Sequence, residues 1–268
     1  MIWKDNAPYA LCLSHDVDRV SKQWYHYCFY ALKHPLVQWK SLCQKLTGRD
    51  PYWNFGRLMD LEKELGVRST FFFLNEPVRK FSANFMGRYK INNPKVIAII
   101  RELDRQGFEI GLHGSYYSYN TPHMLQQEKA TLEEILGHSV VSTRQHHLHF
   151  DKNITEELHS QLGLRYDSTY GYSDKVGTQQ PFRTVHGLIE LPIALMDTVT
   201  LNDDVFHSCC EIATRGGLIV LNFHQCHFNP TEYPLNVSMY TKLLKKAKQD
   251  GAWIAPVAEI GAWLNEKL

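Results

Sequence analysis

The sequence predicts an α/β fold built on a parallel sheet, either closed as a barrel or open and doubly wound. Short, nearly all-apolar runs rich in β-formers recur along the chain, as strands buried on both faces should. Amphipathic segments of helical spacing alternate with them from one end to the other. The 268 residues contain no repeat, low-complexity tract or linker, so one domain over residues 1–268 is expected.

Strands are expected at residues 9–13, 69–74, 109–112, 142–144, 189–192, 218–223 and 253–255. Between them, residues 94–105 carry Val96, Ile99, Ile100 and Leu103 on one helical face, with Pro94 to open the helix and Gly107 to stop it. Further helices are expected at 122–136 (stopped by Gly137), 153–162 (by Gly163), 235–248 (near Gly251) and 257–267. Residues 19–68 are long for one connection. They are expected to hold two helices, 22–33 and 55–65, around the aromatic loop Pro51-Tyr52-Trp53, as an insertion that covers a site or simply packs.

A net charge of +1 gives no global field that favours nucleic acid, a membrane surface or a polyanion. None of the six cysteines makes a C-x-x-C pair, and Cys12 and Cys226 lie inside apolar runs, which points to a reducing compartment. The first residues lack the basic and apolar regions of a signal peptide, and no run approaches the ~18 apolar residues that span a bilayer. A cytoplasmic protein without a transmembrane segment is the expectation. The fourteen histidines are the unusual entry in the composition, and several are clustered.

In parallel α/β folds, ligands bind beyond the carboxyl ends of the strands. Those positions here hold Ser14-His15-Asp16-Val17-Asp18, then His113-Gly114-Ser115, then Arg144-Gln145-His146-His147-Leu148-His149, then Asp197, and finally His224, Gln225, Cys226 and His227. Two acids one residue apart beside a histidine have no capping logic, so Asp16 and Asp18 read as functional. Alternate residues of a strand point the same way, which turns His15 away from them. His224 ends a strongly apolar strand and reads the same way, whereas His113 fits a ligand or a loop histidine equally. Asp197 fits a cap or a site residue equally. At most one or two of His146, His147 and His149 can face a site. The spacing of His147 and His149 also matches the H-x-H pair of amidohydrolase barrels, although that pair normally sits near the chain start.

The ordered set of motifs resembles the NodB-homology polysaccharide deacetylases (carbohydrate esterase family 4). The resemblance rests on the acidic first motif, the strand Ser69-Thr70-Phe71-Phe72-Phe73 and the run Gln106-Gly107-Phe108-Glu109-Ile110-Gly111-Leu112-His113-Gly114-Ser115. It continues through Arg144, a later aspartate and Leu221-Asn222-Phe223-His224, and so covers nearly the whole chain. The His15-Asp16-Val17-Asp18 form, with Tyr166-Asp167-Ser168-Thr169-Tyr170-Gly171-Tyr172 and Leu191-Pro192, further resembles a divergent branch associated with surface polysaccharide and lipopolysaccharide synthesis. The family fold is a distorted (β/α)7-type barrel. Its chemistry uses one divalent metal, usually zinc, held by an aspartate and two histidines. By position, the resemblance makes Asp16 the general base, Asp18 and His113 metal ligands, and Arg144 the partner of the base. It makes His224 the acid that protonates the leaving amine, with Asp197 orienting it.

One departure stands out. The family's second metal histidine falls four residues after the first, where this chain has Tyr117, and a phenol of pKa ~10 is a poor zinc ligand. Either a ligand arrives from another strand end, with His146 best placed, or the metal is weak or lost. Asp/His ligation suits zinc first, with nickel, cobalt or iron as alternatives. The expected activity is hydrolysis of an N-acetyl or other N-acyl group on an amino-sugar or glycan substrate. The alternatives are an impaired barrel that binds glycan or a partner, and a metal hydrolase of a non-sugar amide. Tyr116, Tyr117, Tyr119, Tyr170 and Tyr172 are expected either to stack on sugar or to pack.

Overall fold

The computed structural model describes residues 3–76 and 87–268. Its strands are β1 (Ala10–Val17), β2 (Thr70–Leu74), β3 (Glu109–Gly114), β4 (Ser142–Gln145), β5 (Tyr166–Asp167), β6 (Phe182–Arg183), β7 (Ile189–Glu190), β8 (Leu195–Met196), β9 (Leu218–Asn222) and β10 (Trp253–Ala255). Its helices are α1 (Trp24–Ala31), α2 (Pro35–Leu46), α3 (Phe55–Glu64), α4 (Pro94–Arg105), α5 (Pro122–Leu136), α6 (Thr155–Gln161), α7 (Asp203–Thr214), α8 (Pro234–Asp250) and α9 (Val257–Asn265).

The strands form one sheet in the order β6-β7-β5-β4-β3-β2-β1-β9-β8, parallel throughout except for β6 against β7. It curls into a half-barrel, the distorted (β/α) barrel expected of this sequence. β1 is the hub. It pairs with β9 along one edge, and its other edge is shared end to end by β10 at Ala10–Cys12 and β2 at Ser14–Val17. A strand paired on both edges and covered on both faces must be apolar or fully bonded, and all eight residues of β1 are buried.

Strand alternation sorts those residues. Leu11 and Leu13 join the core shared with α3, α4, α5 and α8, whereas Ala10 and Cys12 join the core shared with α9. Continuing the alternation puts Asp16 on the Ala10–Cys12 face and His15 on the helix-covered face. His15 meets the carbonyl of Phe223 at 2.7 Å through Nδ1 and Glu62 Oε1 at 2.8 Å through Nε2; Tyr240 also donates to Glu62 Oε1, at 2.8 Å. The first acidic motif is therefore half site and half structural brace.

The helices at Pro94–Arg105 and Pro122–Leu136 have the predicted bounds, with proline in their first turns. Gly137 and Gly251 close α5 and α8 at φ 79° and 74°, a conformation that glycine adopts without strain. Three expectations need correction. Residues 19–68 hold three helices, because Pro35 ends one helix only to open another. The region before β9 holds α7, an unforeseen helix whose Asn202 cap accepts from Val205 N at 2.9 Å. β1 also runs four residues past the apolar stretch expected to end at residue 13, because hydrogen bonding to β2 and β9 carries the polar motif inside the sheet.

Glu62→Ala would leave His15 Nε2 buried without its carboxylate. Chemical denaturation should show a loss of about 3 kcal/mol. An unchanged midpoint would mean that the brace contributes nothing.

Candidate active site

Four strand ends converge on one cleft of about 270 Å³, lined by Asp16, Asp18, His113, His146, His224 and His227 among others. Asp16 is bonded on both oxygens: Oδ1 accepts from Arg144 Nη1 at 2.8 Å and Oδ2 from Asn222 Nδ2 at 2.7 Å. Arg144 is itself fully buried, and its other two nitrogens donate to the Ser168 carbonyl (2.7 Å) and hydroxyl (2.8 Å). Burial acts to raise the Asp16 pKa, but Arg144 and His113 beside it hold it below the ordinary carboxylate value.

Asp18 follows β1 and faces two imidazoles. Its Oδ1 lies 3.3 Å from His113 Nε2 and its Oδ2 lies 3.2 Å from His146 Nε2. His113 Nδ1 lies 2.9 Å from the Arg144 carbonyl, to which it donates, leaving a lone pair on Nε2. The donor atoms of Asp18, His113 and His146 fall within 4.8 Å of one another. Two ligands of a tetrahedral zinc at ~2.0–2.1 Å lie roughly 3.3 Å apart, close to both carboxylate–imidazole separations. Asp18 Oδ1 is buried without a hydrogen bond. An orphaned anionic oxygen beside two imidazole nitrogens is what a divalent cation satisfies, so these residues fit one. Burial drives the His146 pKa down to about 3, which keeps that ring neutral. On the far oxygen sits Arg88, with Nη1 3.2 Å from Asp18 Oδ2 and Nη2 2.7 Å from His146 Nε2. Arg88 therefore competes with any cation for the His146 nitrogen.

A second trio faces the first. Asp197, after β8, receives His224 Nδ1 at 2.7 Å, the His224 amide at 2.9 Å and His227 Nδ1 at 3.0 Å. Asn236 Nδ2 lies 3.3 Å from the same carboxylate. Asp197, His224 and His227 also cluster tightly enough for a metal. Both Asp197 oxygens are already filled by donors, however, and a carboxylate saturated by N–H groups is an orienting group rather than a ligand. Burial would lower the His224 pKa, but Asp197 outweighs it and raises the pKa to about 9; His227 is likewise raised well above its usual value. Asp197 is held below its own.

His146 is aimed by a strained turn. His147 and Leu148 both take left-handed backbone, at φ 59° and 54°, a conformation that non-glycine residues adopt at about 1 kcal/mol or more each. His149 turns away, its Nδ1 3.0 Å from the Tyr116 carbonyl and its ring centre 3.8 Å from that of Tyr119, so His147 and His149 do not form an H-x-H ligand pair. Tyr170 packs on Phe150 and Phe182. None of Tyr116, Tyr117, Tyr119, Tyr170 and Tyr172 is among the residues lining the cleft, which is walled by Leu148, Met196 and Cys226 instead.

No protein-family model matches this chain, and no curated protein does. Solved structures do. A protein described as a polysaccharide deacetylase from Mycobacterium smegmatis superposes at TM-score 0.67, over 100% of this chain and 93% of that one, at 19% identity. A second, from Pseudomonas aeruginosa, superposes at 0.64 over 97% and 92%, at 16% identity. The fold is that of the polysaccharide deacetylases. Puue allantoinase shares it, at TM-score 0.61 over 97% of this chain and 91% of that one, with 15% identity.

Within this deacetylase fold, the expected residues Asp16, Asp18, His113, Arg144, His146, Asp197 and His224 all come together at the cleft or directly behind it. Tyr117 packs edge-on against Tyr116, 5.0 Å away. Arg88, Asn222 and His227 were not foreseen as site residues. Asn222 and His227 flank His224 and carried a positional signal, whereas Arg88 carried none.

If Asp18, His113 and His146 hold the cation, zinc-equilibrated protein should retain about one equivalent by elemental analysis. Alanine at any of the three should weaken binding by at least about 100-fold, and Tyr117→Phe should not. Full zinc content in His146→Ala would exclude that residue as a ligand.

Proposed function

We propose that this chain is a hydrolase that removes an acyl group, acetyl first, from the amine of an amino-sugar unit in surface-glycan synthesis. The observation that carries this reading is the pairing across one cleft of a carboxylate held ionised, Asp16, with an imidazole held protonated, His224. Two titratable groups whose surroundings push their pKa values apart supply a base and an acid at the same pH.

Asp16 uses the lone pairs left beyond its bonds to Arg144 and Asn222 to take the proton of the attacking water. Arg144 is a positioning residue: it fixes the carboxylate and keeps it ionised. The nitrogen leaving the carbonyl carbon needs a proton, and His224 supplies it from Nε2, because Asp197 holds Nδ1. A divalent cation held by Asp18, His113 and His146 would polarise the acyl carbonyl and acidify the water. His146 in this scheme stands in for the histidine that Tyr117 replaces. The likeness to an allantoinase supports a second reading, hydrolysis of a non-sugar amide by the same residues.

The sign of the pH dependence follows from the two groups. Asp16 is active when ionised and its pKa is lowered, so activity falls on the acid side only below the ordinary carboxylate range. His224 is active when protonated, so the rate falls as pH rises through about 9. In Asp197→Asn the raising carboxylate is gone while burial remains, so the alkaline limb should move to lower pH. Release of free amine from N-acetylated amino-sugar oligomers by the zinc-loaded protein tests the activity itself. Asp16→Asn should reduce kcat by about 10³-fold. Turnover of simple amides and ureides alone would favour the second reading, and no turnover of either class would overturn hydrolysis.

A further inference from the structure

The hairpin of α1 and α2, which packs helix on helix immediately after Asp18, is built inside out. The residues of α2 turned inward are polar: Gln38 and Ser41 are its buried positions. They meet the buried Lys22, whose Nζ lies 2.6 Å from Gln38 Oε1 and 2.7 Å from Glu232 Oε2. Gln44 extends the seam to Thr231 and Asn229, at 2.9 Å each. The opposite face of the same helix carries Leu36, Trp39, Cys43 and Leu46, spaced as one stripe and exposed to solvent. Soluble helices normally bury that stripe.

The exposure is large and local. Leu32 is 91% exposed, Leu36 77%, Phe29 67% and Trp39 64%, and Trp24 and Leu46 are exposed beside them. Among the described residues, these six are half of the large apolar side chains that are exposed. Exposed apolar side chains concentrated in one hairpin in this way mark an interaction surface. Its charge says which kind. No acid occurs between Asp18 and Asp50, whereas Arg19, Lys22, Lys33, Lys40, Lys45 and Arg49 do. Lys22 is used internally and Lys45 pairs with Asp50, but Lys33 and Lys40, beside Leu32 and Leu36 in the hairpin, and Arg49 just after α2 are exposed. Tryptophan, phenylalanine and leucine ringed by lysine and arginine are the composition of an interfacial helix on anionic lipid. A second copy of the hairpin would instead set like charges against each other.

We infer that the α1–α2 hairpin docks this protein on the surface of an anionic phospholipid bilayer. The polar seam to residues 229–232 ties the hairpin to the loop that carries His224 and His227. Docking would therefore hold the cleft at the membrane, where an amino sugar on a lipid carrier is presented; that last step rests on the proposed hydrolysis.

Flotation of the full chain with vesicles tests it. Phosphatidylcholine vesicles containing phosphatidylglycerol should carry the protein upward, and phosphatidylcholine alone should not. Leu36→Glu with Trp39→Glu should cut the floated fraction at least tenfold, with thermal unfolding unchanged because both side chains are exposed. Absence of flotation with either vesicle, or equal flotation with both, would overturn the inference. So would a concentration-dependent dimer abolished by the same two substitutions. Hydrolysis of a soluble acetylated oligomer by the double variant should match that of the parent, so failure of docking and failure of the proposed chemistry remain distinguishable.

Discussion

A carboxylate at the end of a strand buried on both faces stays ionised when a buried positive charge and N–H donors offset its lost water, and Arg144 reaches Asp16 across the sheet to supply the charge. The consequences run outward. Arg144 must have its remaining donors met, which places Ser168 behind it and links β4 to the segment after β5. Its own carbonyl accepts from His113, which fixes the tautomer of that ring and frees the nitrogen facing Asp18. The guanidinium of this residue thus sets the charge of Asp16 while its main chain orients His113, so a side-chain change at Arg144 acts first on Asp16.

The cleft separates two kinds of aspartate. Asp197 is saturated by donors from His224, His227 and Asn236, and its effect is to hold imidazolium beside it. Asp18 keeps an oxygen with no donor at all. The same side chain is therefore suited to orient imidazoles on one wall and to accept a cation on the other, according to how many N–H groups the fold brings to it. Arg88 adds a further control by approaching the remaining Asp18 oxygen and His146 together.

Much of this was legible in the sequence because strand period and motif position are local properties. Alternation alone places Asp16 opposite His15, and the apolar strands that lead into Asp16, His113 and His224 mark their ends. The rest depended on contacts between distant segments. Arg88 reaches the site only through the fold and stands in no motif. α7 carries a helix-start signal in Asn202-Asp203-Asp204 and a helical apolar stripe in Val205, Phe206, Cys209, Ile212 and Ala213, so it was legible and was missed. α2 also had a signal, the stripe Leu36, Trp39, Cys43 and Leu46 after Pro35; what that stripe could not reveal is that the opposite, polar face is the buried one. The two-residue strands β5, β6 and β8 are too short for any periodicity.

The claim on which the rest turns is that Asp18, His113 and His146 form the cation site, with His146 arriving from β4 where Tyr117 stands in the usual place. Anomalous diffraction at the zinc edge from crystals of zinc-equilibrated protein tests it most directly. The predicted result is a single peak within bonding distance of an Asp18 oxygen and of one nitrogen each from His113 and His146, with Arg88 moved off the His146 nitrogen. A peak between Asp197, His224 and His227, or no peak with both trios ordered, would contradict it.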